Sequence, residues 1–384
     1  MTAVHHLSHI DLDGYGAQFV ARDFFKNITF YNANYGREVE VRVRSILQQI
    51  KGAKNTSFLI LITDLNLTLN EAKFLQSEVA LLNAQGKKTQ ILLLDHHITG
   101  KECAQNFDWY HLDSSICASK ITLEFLSQNI ASLCAESAES CEILRDSHKR
   151  EGMQKFIDMI DSADTWKENT PYFEFGKVAL GMITQSREFS RYMFDSFDRD
   201  LKFKMLDLAK NYLLDSSNNL RENANVTLDN NIFLDKKTLL GGDKETQTME
   251  QILSQKQAEI LSANKQKYTI FLNDANGDKK RGILTYAIGN ISILANLFLT
   301  QNSEFDFFLD IGSGGTVSFR ANGNCDVSAV AKKYFNGGGH KNAAGGKIEE
   351  FKGTFLYDEA RAQLEAYIGG GAKNMEDDDD WQGL

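Results

Sequence analysis

Residues 57–64 read SFLILITD, and residues 89–97 read TQILLLDHH. Both stretches are short, continuous apolar runs that end in acidic or histidine side chains. Runs of this length and composition are typical of strands that are buried on both faces of a parallel sheet. The sequence therefore predicts strands at residues 57–63 and 89–94, with polar residues at their carboxyl ends.

The chain up to residue 166 repeats this arrangement. Residues 4–10 and 28–31 are further predicted strands, and amphipathic stretches predict helices near residues 16–25, 38–49, 70–85 and 115–129. Alternating strands and helices are the pattern of an α/β domain with a doubly wound parallel sheet. Ligands of such sheets bind beyond the carboxyl ends of the strands, which is where the acidic and histidine residues lie.

The same patterns predict the domain boundaries. We expect a first domain over residues 1–187, a helical connector over residues 188–225, and a second, smaller α/β domain over residues 226–368. Apolar runs in the second domain recur at residues 232–234, 268–272, 282–287, 305–311 and 315–320. We expect residues 369–384, which begin with three glycines and contain an acidic run, to form a disordered tail.

The charge of the chain excludes one class of partner. Its formal net charge is −10, and five acids at residues 376–380 leave −5 on the rest. Proteins that bind long DNA or RNA normally present a basic field, because much of that binding is electrostatic. We therefore expect no affinity for long nucleic acids and a small or short substrate.

Composition and the N-terminus point to the cytoplasm. No stretch reaches the length of about 18 apolar residues that a membrane span needs, and residues 1–14 lack the basic and apolar regions of a secretory signal. The five cysteines are odd in number and include no CxxC pair, which indicates neither a disulfide framework nor a thiolate zinc site. We expect a cytoplasmic monomer or homodimer that does not contact membranes.

Acidic and histidine side chains recur at the predicted strand ends. Alternate residues of the segment at 9–14, HIDLDG, point the same way when it is extended, which places His9, Asp11 and Asp13 on one face. The other members of the set are Asp64, the run Asp95-His96-His97, and an acid at position 161 or 164, Asp161 or Asp164. The remaining histidines of the first domain lack this placement and are interpreted as structural or surface residues: His5, His6, His111 and His148.

Five or six acids in one pocket repel one another. Two unit charges about 4 Å apart cost about 4 kcal/mol at an effective dielectric constant of about 20. These segments contain no lysine or arginine, so we expect divalent cations to supply the compensating charge. Mixed carboxylate and imidazole ligands suit Mn²⁺, with Mg²⁺ and Co²⁺ as alternatives. Two such ions can bind one phosphoryl group and lower the pKa of water between them, which predicts a two-metal hydrolase.

The order of these motifs is similar to that of the DHH phosphoesterase superfamily, which includes RecJ-type exonucleases, nanoRNases and manganese pyrophosphatases. The fourth motif, Asp164-Thr165-Trp166, has the form of the oligoribonuclease and cyclic-nucleotide phosphodiesterase branch. Near the C-terminus, Gly337-Gly338-Gly339-His340 resembles the glycine-rich element of the DHH-associated substrate-binding domain. The resemblance therefore spans most of the chain.

The resemblance implies a role for each residue. It implies two sets of metal ligands that share Asp64: His9, Asp11 and Asp64 for one ion, and Asp13, Asp64, His96 and Asp164 for the other. Asp164 is preferred to Asp161 because of the form of its motif. Asp95 would orient a ligand, and His97 would contact the substrate phosphate or assist the leaving group. The implied substrate-binding residues of the second domain are Arg320, Gly337, Gly338, Gly339 and His340.

The residues and the resemblance together predict a manganese-dependent phosphodiesterase that hydrolyses short RNA or linear dinucleotides to nucleoside 5′-monophosphates. Hydrolysis of cyclic mononucleotides or dinucleotides, RecJ-like exonuclease action on single-stranded DNA, and pyrophosphatase activity are alternatives with the same chemistry. A catalytically silent nucleotide-binding regulator is an alternative from another class. The intact motifs disfavour it, because a degenerate enzyme commonly loses its metal ligands first.

Overall fold

The computed structural model describes residues 2–134, 138–139, 141–215 and 224–370. The chain divides into two compact units, one of residues 1–186 with 200–236 and the other of residues 187–199 with the chain from 237 onward. Each unit contains one β-sheet with helices packed against it. None of the helices described is long and apolar enough to cross a membrane.

The sheet of the first unit is entirely parallel. Its strands are β1 (Ala3–Ser8), β2 (Ile28–Asn32), β3 (Ser57–Thr63), β4 (Lys88–Asp95) and β5 (Tyr110–Leu112), in the spatial order β2-β1-β3-β4-β5. The direction in which the chain adds strands reverses at β1. The segments that follow β1 and β3 therefore lie at the topological switch point, where α/β sheets bind their ligands.

Helices cover both faces of this sheet. They are α1 (Leu12–Phe24), α2 (Arg37–Gly52), α3 (Leu69–Ala84), α4 (Lys101–Asn106), α5 (Ala118–Leu133), α6 (Glu142–Arg145), α7 (Ser147–Asp164) and α8 (Phe173–Thr184). On one face, side chains of α2 and α3 such as Ile46 and Leu75 join Ile60 of β3 in a buried cluster. Helices α1, α5 and α7 contact one another, and Phe19 of α1 packs on Phe156 of α7. Burial on both sides explains why the strands are continuous apolar runs.

The predicted α/β class and parallel sheet are confirmed, and β3 has the predicted bounds. The first helix starts four residues earlier than predicted, at Leu12, because Asp11 caps it by accepting a hydrogen bond of 2.9 Å from the Gly14 amide. Gly14 and Gly16 are inside this helix. A Cβ at Gly14 would lie 2.4 Å from the His9 carbonyl oxygen, and one at Gly16 would lie 2.7 Å from Ile160 Cδ1, so both positions require close approach.

The rest of the chain contains seven helices among its described residues: α9 (Asp195–Leu214), α10 (Ala224–Leu239), α11 (Met249–Ala263), α12 (Lys265–Tyr268), α13 (Ser292–Gln301), α14 (Val327–Phe335) and α15 (Tyr357–Gly370). Its strands are β6 (Thr269–Asn273), β7 (Lys279–Tyr286), β8 (Phe307–Ile311), β9 (Thr316–Ala321), β10 (Gly338–His340) and β11 (Ala343–Lys347). The sheet order is β10-β11-β9-β8-β7-β6, and only the β7–β8 pair among these is parallel.

Two features of this half differ from the sequence prediction. Residues 232–234, grouped with the second domain, lie in helix α10, and the first unit continues to residue 236. Helix α15 continues through Gly369 and Gly370, where the acidic tail was expected to begin, and residues 371–384 lie outside the described chain. Two glycines at a helix C-terminus are compatible with its last turn.

Candidate metal centre

Asp64 occupies the centre of a cluster at the carboxyl edge of the first sheet. Its Oδ2 lies 3.7 Å from His9 Nδ1, and its Oδ1 lies 3.4 Å from His96 Nε2 and 3.9 Å from His97 Nδ1. The backbone at Asp64 has φ +55°, in the left-handed region, and its amide donates to the Leu94 carbonyl at 3.1 Å. Non-glycine residues in this region carry strain and cluster at functional sites.

Three further acids approach His9 or His96. Asp11 Oδ2 lies 2.9 Å from His9 Nδ1, while Asp13 Oδ2 and Asp164 Oδ2 lie 3.8 and 3.6 Å from His96 Nε2. All six residues assigned as metal ligands on the family resemblance are thus near one another, although they lie just after β1, β3 and β4, at the start of α1 and at the end of α7.

These side chains form three groups whose ligand atoms lie within 4.8 Å of one another: His9, Asp11 and Asp64; Asp13, His96 and Asp164; and Asp64, His96 and His97. Oxygen Oδ2 of Asp64 and Oδ2 of Asp164 are buried and accept no hydrogen bond from the described residues. Leaving a buried carboxylate oxygen unpaired is costly. A divalent cation would coordinate these oxygens, so the donor set fits the predicted metals.

The electrostatics of the cluster lead to the same conclusion. Burial, and then the charges of Asp11 and Asp13, hold the pKa of Asp64 well above its usual range. Burial and the same two neighbours raise the pKa of Asp164 to about 8. For Asp11, burial acts upward, but the neighbouring His9 and the Gly14 amide lower its pKa to about 2. Without cations, these acids cannot all be ionised at neutral pH.

Two acids of the region already have partners that fix them. Asp13 is fully buried, and its two oxygens accept hydrogen bonds of 2.7 and 2.8 Å from the amides of Ala118 and Ser119 in the first turn of α5. A helix N-terminus stabilises a negative charge. Asp161 accepts from the Cys117 amide at 2.9 Å and from Lys167 Nζ at 2.7 Å.

The contacts separate the two candidates for the fourth motif. Asp161 is neutralised by Lys167, and none of the three groups of described residues that can hold a metal contains it. Asp164 Oδ2 lies 3.6 Å from His96 Nε2 and accepts no hydrogen bond from the described part of the chain. The geometry therefore favours Asp164 over Asp161 as the metal ligand of the fourth motif.

His97 has a separate hydrogen-bond chain, two members of which sequence reasoning missed. Asp95 Oδ1 lies 2.7 Å from His97 Nδ1, and Asp95 Oδ2 accepts from the Tyr110 hydroxyl at 2.6 Å. The Tyr35 hydroxyl lies 2.8 Å from His97 Nε2. Burial lowers the pKa of His97, but the hydrogen bond and charge of Asp95 outweigh this, so the net shift is upward. The residue that Asp95 orients is His97.

Position alone could have suggested Tyr35. It follows strand β2, next to β1 in the sheet, and so lies at the same carboxyl edge as the cluster. Tyr110 gave no comparable signal, because β5 is only three residues long. Gly100 permits its contact with Asp95: a Cβ there would lie 1.8 Å from the Tyr110 hydroxyl oxygen.

The substrate-binding residues predicted in the second unit lie on or beside two strands, β9 and β10, with β11 between them. Arg320 of β9 pairs in register with Ala343 of β11, which pairs with His340 of β10. Side chains paired in this way share a face of the sheet, two strand spacings of about 4.8 Å apart. Arg320 Nη2 donates to Ser292 Oγ at 3.0 Å, and His340 is exposed.

The glycines of this segment have a packing role. A Cβ at Gly337 would lie 2.0 Å from the Gly345 carbonyl oxygen. Gly339 has φ +147°, and a Cβ there would lie 2.5 Å from the Ala343 carbonyl oxygen. Gly338, in contrast, is exposed with open space at its Cβ. Close approach of β10 to β11 is therefore enough to require two of the three glycines.

The parallel sheet, the acid and histidine cluster at its carboxyl edge and the mixed second sheet are the features of a DHH phosphoesterase, and comparison with known proteins shows the family. The DHHA1 domain matches residues 258–370. A protein from Helicobacter pylori named 3′,5′-cyclic-nucleotide phosphodiesterase is 47% identical over 365 residues, which are 95% of this chain and 98% of that protein. The chain therefore belongs to the DHH phosphoesterase superfamily. It is a hydrolytic phosphoesterase of a metal-dependent superfamily.

The fold agrees over the full length with a solved relative. The crystal structure of an uncharacterized protein from Helicobacter pylori G27 has a TM-score of 0.85 and 47% identity to this chain. The match covers 96% of this chain and 100% of that one. Both units are thus part of the fold that the relative shares.

Proposed function

We propose that the enzyme is a two-metal phosphodiesterase that hydrolyses 3′,5′-phosphodiester bonds of small nucleotides, with a 3′,5′-cyclic nucleotide as its first candidate substrate. The observation that carries the chemistry is the position of Asp64, whose Oδ2 is near His9 while its Oδ1 is near His96. A carboxylate placed in this way can bridge two cations. The choice of substrate follows the name of the Helicobacter pylori relative.

The cluster offers ligands for two cations, which would share Asp64. His9, Asp11 and Asp64 would hold one divalent ion, and Asp13, Asp64, His96 and Asp164 would hold the other. When bound, such a pair lowers the pKa of water and offsets negative charge on a phosphoryl group. Mn²⁺ fits the mixture of imidazole and carboxylate donors, and Mg²⁺ and Co²⁺ are the alternatives.

The chain itself supplies a proton donor. Asp95 is buried and contacts Nδ1 of His97, so a proton is favoured on Nδ1, and a raised pKa favours one on Nε2 as well. In this state His97 would donate to a non-bridging phosphate oxygen or protonate the departing ribose oxygen. Tyr35, which contacts Nε2, would yield its position to the substrate or hold the imidazole in place.

Linear dinucleotides and short RNA are the second candidate class. Arg320 and His340 share a face of the second sheet, and both side chains can donate hydrogen bonds to an anion. A cyclic mononucleotide has a single phosphate, whereas a linear substrate has further phosphates for such donors to bind. The net charge of −10 is compatible with few phosphate contacts.

A substrate panel tests the proposal. The purified protein with Mn²⁺ is incubated with cyclic AMP, pApA, pGpG, a five-residue RNA and single-stranded DNA, and products are separated by ion-exchange chromatography. We expect 5′-AMP from cyclic AMP, and a loss of at least about 1,000-fold in kcat for Asp64→Ala, since both proposed ion sites would lose a ligand.

Asp108→Ala is the matched control, because Asp108 is an exposed acid outside the cluster. The control should retain the parent rate. If Asp64→Ala matches the parent on its best substrate, the two-metal assignment is wrong. If the parent hydrolyses pApA or pGpG but not cyclic AMP, the second candidate class replaces the first.

A further inference from the structure

Trp166 is an exposed, strained aromatic residue next to the metal-ligand cluster. It lies two residues after Asp164, it is 59% exposed, and its backbone has φ +54°. A left-handed backbone conformation is a genuine outlier for a bulky residue. Such strain persists where the surrounding structure enforces it, and it concentrates at functional sites.

The local structure shows which residue type this position favours. Helix α7 ends at Asp164, with Thr165 as its C-cap, and the Lys167 amide donates to the Ser162 carbonyl at 2.8 Å. This bond belongs to the Schellman motif, in which the residue after the C-cap is left-handed and is usually glycine. Trp166 occupies that position, so a glycine would build the same turn with less strain.

The contacts of the indole fix it without burying it. Its Nε1 donates to Glu168 Oε1 at 2.9 Å, and its ring lies edge-to-face with Phe173, with centroids 5.1 Å apart. The turn is anchored as well, because Lys167 Nζ donates to Asp161 Oδ2 at 2.7 Å and to the Ser115 carbonyl at 3.2 Å. The result is a rigid aromatic side chain with more than half of its surface open.

We propose that Trp166 stacks on the nucleobase of the substrate while the adjacent cluster receives the phosphate. This inference rests on the proposed function in that it takes the substrate to be a nucleotide. Stacking on an aromatic side chain tolerates every base, because every base has a π-face. A purine has a larger ring area than a pyrimidine and stacks more strongly. Stacking on Trp166 thus favours purines over pyrimidines, but it does not select one base through hydrogen bonds.

Fluorescence gives a direct test that needs no turnover. The chain has three tryptophans, Trp109, Trp166 and Trp381. Titration with AMP in the presence of Mn²⁺ should quench the emission of the parent and of Trp109→Phe equally, and the quench should be lost in Trp166→Phe. Trp109 is the matched control, since it is partly buried against the core cluster of the first unit and packs on Phe107, with ring centroids 4.9 Å apart. An unchanged quench in Trp166→Phe overturns the inference.

Kinetics of Trp166→Gly separate binding from folding. Glycine suits φ +54°, so the melting temperature should not fall. We expect KM for cyclic AMP to rise about 10-fold, kcat to change less than about 2-fold, and the preference for cyclic AMP over cyclic UMP to shrink. Trp166→Phe should be intermediate, because it keeps a smaller ring. An unchanged KM in Trp166→Gly contradicts the inference.

The two proposals fail in distinguishable ways. If the parent hydrolyses no cyclic nucleotide or dinucleotide, the proposed function is wrong, and the AMP titration still decides the role of Trp166. If the parent hydrolyses cyclic AMP and Trp166→Gly retains its KM, the proposed function stands and the stacking role is wrong.

Discussion

Asparagine at position 64 should stabilise the metal-free protein while abolishing its response to metal. In the metal-free protein the Asp64 carboxyl either carries a charge that Asp11 and Asp13 repel or takes up a proton because burial and those charges raise its pKa, and both states cost stability. Asparagine removes that cost and keeps the size of a side chain that is 1% exposed. Ligand oxygens of Asp64 and Asp11 lie within 4.8 Å of each other. At that separation two unit charges repel by about 3.5 kcal/mol at an effective dielectric constant of about 20. Asp64→Asn should therefore raise the free energy of unfolding in chelator by up to about 3.5 kcal/mol.

The assay is urea unfolding at pH 7.5, with either EDTA or excess Mn²⁺. The parent should gain stability from Mn²⁺, because an ion that binds only the folded state stabilises it. Asp64→Asn should start from a higher value in EDTA and gain little from Mn²⁺. Asp108→Asn, which alters an exposed acid, should behave as the parent. An Asp64→Asn variant that is less stable than the parent in EDTA, or that gains as much from Mn²⁺, refutes the reasoning.

Two further predictions concern a tyrosine of the first unit and an acid of the second. Tyr35→Phe removes the hydroxyl that lies 2.8 Å from His97 Nε2. We expect kcat to fall about 10-fold with little change in KM, which is the size of effect that the loss of one hydrogen bond to a charged group produces. An unchanged kcat would exclude a role of Tyr35 in orienting His97. Asp310 is buried, which raises its pKa to about 6 from 3.8 although Thr285 donates a hydrogen bond to it. The folded state therefore binds more protons than the unfolded state between about pH 4 and 6, and the free energy of unfolding falls by about 3 kcal/mol as pH rises through that window. Urea unfolding of Asp310→Asn should lack this slope, and parallel pH profiles for variant and parent would contradict the assignment.

The sequence was sufficient to predict the first sheet and the gathering of the cluster. Strands buried on both faces have a local signature, and the carboxyl ends of parallel strands share one edge, so the placement of Asp64 and His96 required no tertiary information. The HIDLDG segment was predicted correctly as part of that edge, although the helix that begins within it was predicted to start only at residue 16. The glycines at 14 and 16 have a helical role that depends on contacts with His9 and Ile160, which lie outside the local pattern.

Contacts between distant segments could not be predicted in the same way. Asp161 and Asp164 are three residues apart and lie on the same side of α7, so helical spacing does not separate them. They differ because Lys167 neutralises Asp161. Likewise, Tyr110 reaches Asp95 only because the short strand β5 pairs with β4, with Leu93 opposite Tyr110. Each of these outcomes depends on a partner that folding brings into place.

The hydrogen bonds of the fold divide its acids into two classes. Asp13, Asp95 and Asp161 have both carboxylate oxygens occupied by amides, a histidine, a tyrosine or a lysine, so their orientation is fixed before any ion binds. Asp64 and Asp164 each keep a buried oxygen without a partner from the described residues. The unpaired oxygens of Asp64 and Asp164 and the repulsion among the acids therefore destabilise the metal-free protein. Bound cations would coordinate these oxygens and remove both costs. The same division explains why replacing Asp161 should damage folding, whereas replacing Asp64 should damage only metal binding and catalysis.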